Sequence, residues 1–367
     1  MINKYKGDKK MKPKKLNKGD RVAIVSLSRG LLGMPFCKHE LDIGIKRLKE
    51  FGLEPVIMPN ALKDMDYIAK HPDERASDLK KAFMDDSIKG IITAIGGDDT
   101  YKTIPYLMED KEFIEVVKNN PKIFVGFSDT TNNHLMLNKL GLSTFYGPCF
   151  MVDIAELDNE MLPYTKEYFL KFFMDEDSFE IKSSPIWYSD RESYGPEEVG
   201  KSRKVNNEEH GFEVLNGSGV VTGKLYGGCL DSLYDIYTSE RYGDEFYVYS
   251  KYNILPTLEE WSEKILFIET SEEKLSPEKL EKILLYFKNN KILETVRGII
   301  VGKPIDEVYY SEYKDVYRKV FSDIDTPVLY NVNFGHSVPR CIIPYDACAT
   351  VDYDNKTITI NESIFIK

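Results

Sequence analysis

The sequence predicts an α/β fold: an N-terminal, mostly parallel sheet flanked by helices, followed by a second mixed α/β domain. Three observations predict it. Short β-branched runs alternate with helical patterns through the first half, the signature of βαβ units and a parallel sheet. These runs are almost continuously apolar, as strands covered on both faces require. A charged stretch without periodicity, residues 175–211, then separates this half from a second series of strands and helices.

The elements follow in order. Arg21–Leu27 is a β-branched strand, and Cys37–Phe51 has helical spacing and stops at Gly52. Glu54–Met58 is a short strand, and Pro72–Met84 is a helix with proline in its first turn. Gly90–Ala94 is a buried strand running into Gly96-Gly97, and Thr100–Met108 is helical despite Pro105. Ile123–Val125 is a strand followed by Gly126-Phe127-Ser128 and a helix to Leu140, which Gly141 closes. Glu160–Met174 is a further helix. Beyond the linker come strands at Gly219–Leu225, Lys264–Ile268, Gly298–Val301, Pro327–Leu329 and Ala347–Asp352, with helices at Ser276–Asn289 and Ser311–Phe321. The expected division is a flexible basic terminus at 1–15, an N-terminal domain at 16–174, a linker at 175–211 and a C-terminal domain at 212–367.

Composition narrows the function. The chain has 367 residues, with 49 Lys+Arg against 60 Asp+Glu, a net charge of −11. An acidic balance argues against a nucleic-acid binder, because phosphate contacts need clustered cations. The one basic cluster, Lys4, Lys6, Lys9, Lys10, Lys12, Lys14 and Lys15, is expected to be a solvated, frayed terminus. No run approaches the roughly 18 apolar residues of a membrane span, and Val22–Leu27 is too short for a signal-peptide core. The expected location is cytoplasmic, with no membrane partner. The five cysteines fit no zinc or redox spacing, and the five histidines form no HExxH pair, so no metal is expected.

Ligands of open parallel sheets bind beyond the carboxyl ends of the strands. Ser128 sits there, two residues after Gly126, between a strand and a helix. On such a turn a serine exposes its hydroxyl beside the positive helix end, and the N–H of Asp129 can face an oxyanion. The same position also suits a plain helix cap, and Thr130 stands where a nucleophile elbow usually has glycine. A nucleophilic serine needs a base and a group that orients it. His336, after Gly335 in a loop, is the best base, or else a turn histidine bonded to backbone. Glu269 ends a buried strand and so needs a cationic or N–H partner, as orienting group or in an ordinary salt bridge. Glu272 and Glu273 read as solvated turn acids. The loop Gly96-Gly97-Asp98-Asp99-Thr100 lets backbone N–H groups approach an oxyanion or a phosphate, or is a plain strand-to-helix turn. It also resembles the GGDG(T/S) loop of NAD-kinase-like and diacylglycerol-kinase-like phosphotransferases, from which Asp99 departs by placing a negative charge beside the phosphates.

Together these segments resemble the LD-carboxypeptidase family of serine peptidases. The resemblance rests on Lys18–Ser26, Gly96–Thr100, Val125–Thr131, Phe145–Pro148, Gly223–Gly228, Leu266–Glu269 and Phe334–His336, in that order over almost the whole chain. Within the family, Ser128–His134, the Phe-Tyr-Gly-Pro segment and the long linker are most similar to the microcin C self-immunity branch. The resemblance implies a Ser–His–Glu triad at Ser128, His336 and Glu269. It implies an oxyanion hole from N–H groups near Gly97 and at Asp129, and a homodimer. Substrate contacts are expected at Asp98, at Trp187 as a ring stacking on a nucleotide base, and at Cys229. The last stands where the family usually has asparagine. Trp187 can equally anchor the linker to the core. The implied substrate is a small aminoacyl- or peptidyl-nucleotide, hydrolysed without cofactor. The alternatives are a muramoyl-tetrapeptide LD-carboxypeptidase, a nucleotide-dependent kinase working through Gly96–Thr100, and a binding module without turnover.

Overall fold

The computed structural model describes residues 11–367. Its strands, in chain order, are β1 (Arg21–Val25), β2 (Glu54–Ile57), β3 (Ile88–Thr93), β4 (Ile123–Gly126), β5 (Phe145–Tyr146), β6 (Phe179–Ile181), β7 (Ile186–Tyr188) and β8 (Val205–Asn207). They continue with β9 (Glu213–Asn216), β10 (Val220–Cys229), β11 (Lys264–Glu269), β12 (Gly298–Gly302), β13 (Val328–Val332), β14 (Ile343–Pro344), β15 (Cys348–Asp352) and β16 (Thr357–Ile360).

Two sheets carry the fold. The first has the order β14-β5-β4-β3-β1-β2 and the second β6-β16-β15-β10-β11-β12-β13-β9. From β5 to β2 every pairing in the first sheet is parallel, and only β14 runs against it. In the second sheet β10 to β13 are parallel, with antiparallel strands on both flanks. The central strands are buried, apart from Lys89 near the start of β3, because helices cover both faces. This is the α/β architecture that the alternating pattern implies.

Several local expectations are corrected. Pro105 cannot donate inside a helix, so Thr100–Met108 breaks into a 3-10 turn (Thr100–Thr103) and a helix (Ile104–Met108) with proline in its first turn. The linker is no bare tether: β6 pairs with β16, β7 with β8, and buried Arg203 and Arg191 clamp Glu156. Helices Leu230–Thr238 and Glu245–Lys251 follow β10, where the sequence reading placed none. Of the expected frayed terminus, residues 1–10, with Lys4, Lys6, Lys9 and Lys10, lie outside the described residues. Residues 11–15 are tied down instead. Met11 exchanges backbone bonds with Gly141 and Ser143, and Lys12 pairs with Glu362 at 2.5 Å. Among the described residues no helix is long and apolar enough to cross a membrane.

Candidate active site

The carboxyl ends of the parallel strands of the two sheets meet, and the site lies where they do. Ser128 follows β4 and adopts a left-handed φ of +65°. Glu269 is the last residue of β11. His336 lies in the loop after β13, next to Gly335 at φ +76°. The His336 Nε2 is 3.1 Å from Ser128 Oγ, and Nδ1 is 2.7 Å from Glu269 Oε2. The His336 backbone N–H also donates to that oxygen at 3.1 Å, so both the ring and its main chain are registered on one carboxylate.

Glycines make these approaches possible. A Cβ on Gly335 would lie 2.2 Å from Glu269 Cγ, and one on Gly96 would lie 2.7 Å from Ser128 Cβ. Gly97, at φ +154°, packs against Ser28. Among the described residues no acceptor is found for the N–H of Gly97 or of Asp129. The Asp129 side chain is buried. Its Oδ2 accepts from Ser28 Oγ and Thr100 N, and its Oδ1 from Asn132 Nδ2. It therefore stitches the Gly96–Thr100 loop to the serine turn, a role beyond the N–H that the sequence suggested. Asp99 is consumed by a buried pair with Arg75 at 2.6 Å, which neutralises the charge that set this loop apart from a phosphate cradle.

Two contacts were not legible in the sequence. Tyr146 Oη donates to Glu269 Oε1 at 2.5 Å and accepts the Ser128 N–H at 3.0 Å. Glu272, expected to be a solvated turn acid, instead places Oε2 2.9 Å from His336 Nε2. Burial alone would lower the His336 pKa, but the charges and hydrogen bonds of Glu269 and Glu272 outweigh it and raise the ring to about 10. The hydrogen bond to His336 holds the Glu272 carboxyl at about 2, against the opposing effect of burial.

Two cavities open on Ser128. One, of about 360 Å³, is mainly apolar and includes Leu31, Phe36, Phe127, Met151, Tyr194 and Arg340. The other, of about 290 Å³, is polar and includes Asp98, Cys229, Asp231, Asp235 and Arg241. Arg29, Gly97, Ser128 and Glu272 line both. Asp98 faces Arg29 at 3.8 Å. Cys229 is buried, and burial followed by the charge of Glu269 raises its thiol well above the ordinary range, which keeps it protonated. Donor atoms of Cys229, Glu269 and His336 lie within 4.8 Å of one another, but His336 and Glu269 are already bonded to each other.

The structure does not bring Trp187 to either cavity. It lies on β7, with Lys303 Nζ 5.2 Å from its ring centroid, as an anchor of the β7–β8 hairpin. The ring exposed at the apolar cavity is Phe36, 58% accessible. The other histidines are used elsewhere. His134, for example, is buried between Gly126 O and Thr144 Oγ1, and burial lowers its pKa to about 3.

The chain is similar to known proteins over most of its length. The model of the LD-carboxypeptidase N-terminal domain matches residues 22–147, and that of the C-terminal domain matches residues 222–351. The crystal structure of an MccF-like protein from Streptococcus pneumoniae in complex with AMP is similar to this chain, with a TM-score of 0.88 and 46% identity, covering 93% of this chain and 98% of that one. The microcin C7 self-immunity protein MccF of Escherichia coli is 28% identical over 79% of this chain and 78% of its own. A Bacillus subtilis protein named "probable murein peptide carboxypeptidase" is 27% identical over 96% of this chain and 95% of its own.

Proposed function

The chain belongs to the LD-carboxypeptidase family of peptidases, and on that premise we propose that it is a serine hydrolase acting through Ser128, His336 and Glu269. The observation that carries this reading is the continuous path Ser128 Oγ–His336 Nε2–His336 Nδ1–Glu269 Oε2, at 3.1 and 2.7 Å. Ser128 Oγ attacks the acyl carbon while its proton passes to Nε2. The developing oxyanion is held by the N–H groups of Gly97 and Asp129, which have no other acceptor among the described residues. The departing amine takes the proton from Nε2, and water repeats the sequence on the acyl-serine. Glu269 fixes the ring tautomer and stabilises the imidazolium.

The substrate we propose is an aminoacyl- or peptidyl-nucleotide, cleaved at its acyl–nitrogen bond. Support comes from the nucleotide in the Streptococcus pneumoniae MccF-like structure and from the apolar cavity beside Ser128, with Phe36 exposed in it. The same reading makes the protein a cytoplasmic, homodimeric self-immunity enzyme, whose dimer analytical ultracentrifugation would detect. The test of the chemistry is Ser128→Ala. Removing the nucleophile lowers kcat by several orders of magnitude. A variant within about tenfold of the parent, a difference of only about 1.4 kcal/mol, refutes the assignment.

A further inference from the structure

His336 Nε2 has two partners that it cannot serve in one protonation state. Ser128 Oγ is 3.1 Å away and Glu272 Oε2 is 2.9 Å away. An ionised carboxylate only accepts, so its contact with Nε2 requires that nitrogen to carry hydrogen. With Nδ1 already donating to Glu269, the ring is then an imidazolium, and an imidazolium cannot take the serine proton. The resting arrangement is a base capped at both nitrogens.

The cap is movable. The Glu272 side chain is 60% exposed and sits on the loop between β11 and the helix Pro277–Asn289. It lines both cavities, so a ligand in either one meets it. The polar cavity also holds Asp231 and Asp235, neither of which forms an ion pair among the described residues. Burial, with the charge of nearby Glu269, raises the Asp231 carboxyl to about 6, the Ser271 N–H opposing. The cations of that cavity, Arg29, Arg241 and Lys279, are already paired with Asp98, Glu273 and Glu240, so none is left for Asp231 and Asp235, and an ammonium on the acyl side of the scissile bond would supply one. The charged groups facing His336 are Glu269, Glu272, Asp231 and Arg340, and Arg29 faces Glu272.

We propose that Glu272 is a positioning residue that caps Nε2 of His336 in the free protein, and that a substrate with a cationic amine on its acyl group draws the carboxylate away and leaves Nε2 to Ser128. This rests on the hydrolase reading above. Amine recognition and base activation are then one event, and acyl groups without the amine leave the base capped.

The experiment uses the full chain and Glu272→Gln, which keeps the side-chain shape at an exposed position. The rate of Ser128 labelling by a fluorophosphonate probe is followed against pH. The probe carries no amine, so the parent labels slowly at neutral pH and faster as the pH rises. Glu272→Gln moves the midpoint at least one pH unit lower and labels at least tenfold faster at pH 7. In parallel, kcat/KM is measured for an aminoacyl-nucleotide conjugate and for its N-acetylated form. The parent prefers the free amine at least tenfold, and the variant's two values come within about threefold of each other. Equal labelling midpoints overturn the cap, and an unchanged amine preference overturns its displacement by substrate. Absence of Ser128 labelling in both proteins at every pH strikes the hydrolase reading itself.

Discussion

Tyr146 and Glu269 are joined by a buried hydrogen bond of 2.5 Å, and the same tyrosine oxygen accepts the Ser128 N–H at 3.0 Å. One hydroxyl on β5 thus links the serine turn after β4 to the carboxylate at the end of β11, across the two sheets. Burial and the adjacent Glu269 charge raise the Tyr146 phenol well above its ordinary range, so it stays a donor. Tyr146→Phe keeps the ring but leaves a Glu269 oxygen and the Ser128 N–H unpaired. A hydrogen bond to a charged group is worth about 1.5–3 kcal/mol, so kcat falls about 10- to 100-fold, with a small change in KM. Steady-state kinetics on the purified variant checks this. A parental kcat would remove Tyr146 from the machinery.

Ser128 holds a left-handed backbone, φ +65°, that only glycine adopts without strain. Ser128→Gly is therefore inactive yet more stable than Ser128→Ala by about 1 kcal/mol. Denaturant unfolding of the two variants measures the difference. Equal stabilities would mean that the turn carries no strain.

Gly335 is required for a different reason. An added Cβ would overlap Glu269 Cγ at 2.2 Å, whereas at Gly243, with φ +78°, nothing lies within 4 Å. Gly243→Ala thus pays only the backbone strain, about 1–2 kcal/mol of stability, and keeps parental activity. Gly335→Ala displaces Glu269 from His336 and lowers kcat by at least 100-fold. Comparable activity in the two variants would show that the Gly335 contact yields without disturbing the pair.

These contrasts show what the sequence could and could not disclose. Ser128, His336 and Glu269 were legible because each follows a strand signal and carries a residue type whose chemistry is restrictive. The Gly96–Thr100 loop was legible as a close backbone approach. Tyr146 was not, since a tyrosine in a two-residue strand, Phe145–Tyr146, reads as ordinary core. Nor was Glu272, whose role depends on the fold of a loop without periodic pattern. Trp187 stood open between a stacking ring, which the resemblance implies, and an anchor of the linker. Pairing of β7 with β8 and the adjacent Lys303 favour the anchor. Packing between segments distant in sequence decides all three.

The linked charges also set a pH dependence of stability. His336 is raised from 6.5 to about 10 in the folded protein. Its contribution is therefore full below about pH 6.5 and is lost as pH rises toward 10. Glu272 is lowered from 4.5 to about 2, so its contribution is full above about pH 4.5 and is lost as pH falls toward 2. His336→Gln removes both. Melting temperatures of parent and variant thus differ most between about pH 5 and 6.5 and converge on either side. A constant offset across pH would show that the two carboxylates do not feel the ring.

The substrate class turns on what fills the apolar cavity. A muropeptide tail needs a cation for its terminal carboxylate and has no use for a ring, whereas a nucleotide conjugate gains from an aromatic face remote from the cleaved bond. Phe36 is exposed at that cavity, and Trp187 is not part of it. Stacking of a base on an aromatic ring contributes about 1–3 kcal/mol. Phe36→Ala therefore lowers kcat/KM for an aspartyl-nucleotide conjugate by roughly 5- to 150-fold and leaves that for an L,D-tetrapeptide unchanged. Trp187→Ala, acting on the hairpin rather than the ligand, changes both by less than about threefold. A loss confined to the Trp187 variant would mean that the loop ring reaches the base after all. Equal losses on both substrates, or a parent that prefers the tetrapeptide, would assign the enzyme to muropeptide recycling, because the ring would then be supporting the cavity wall rather than reading a base.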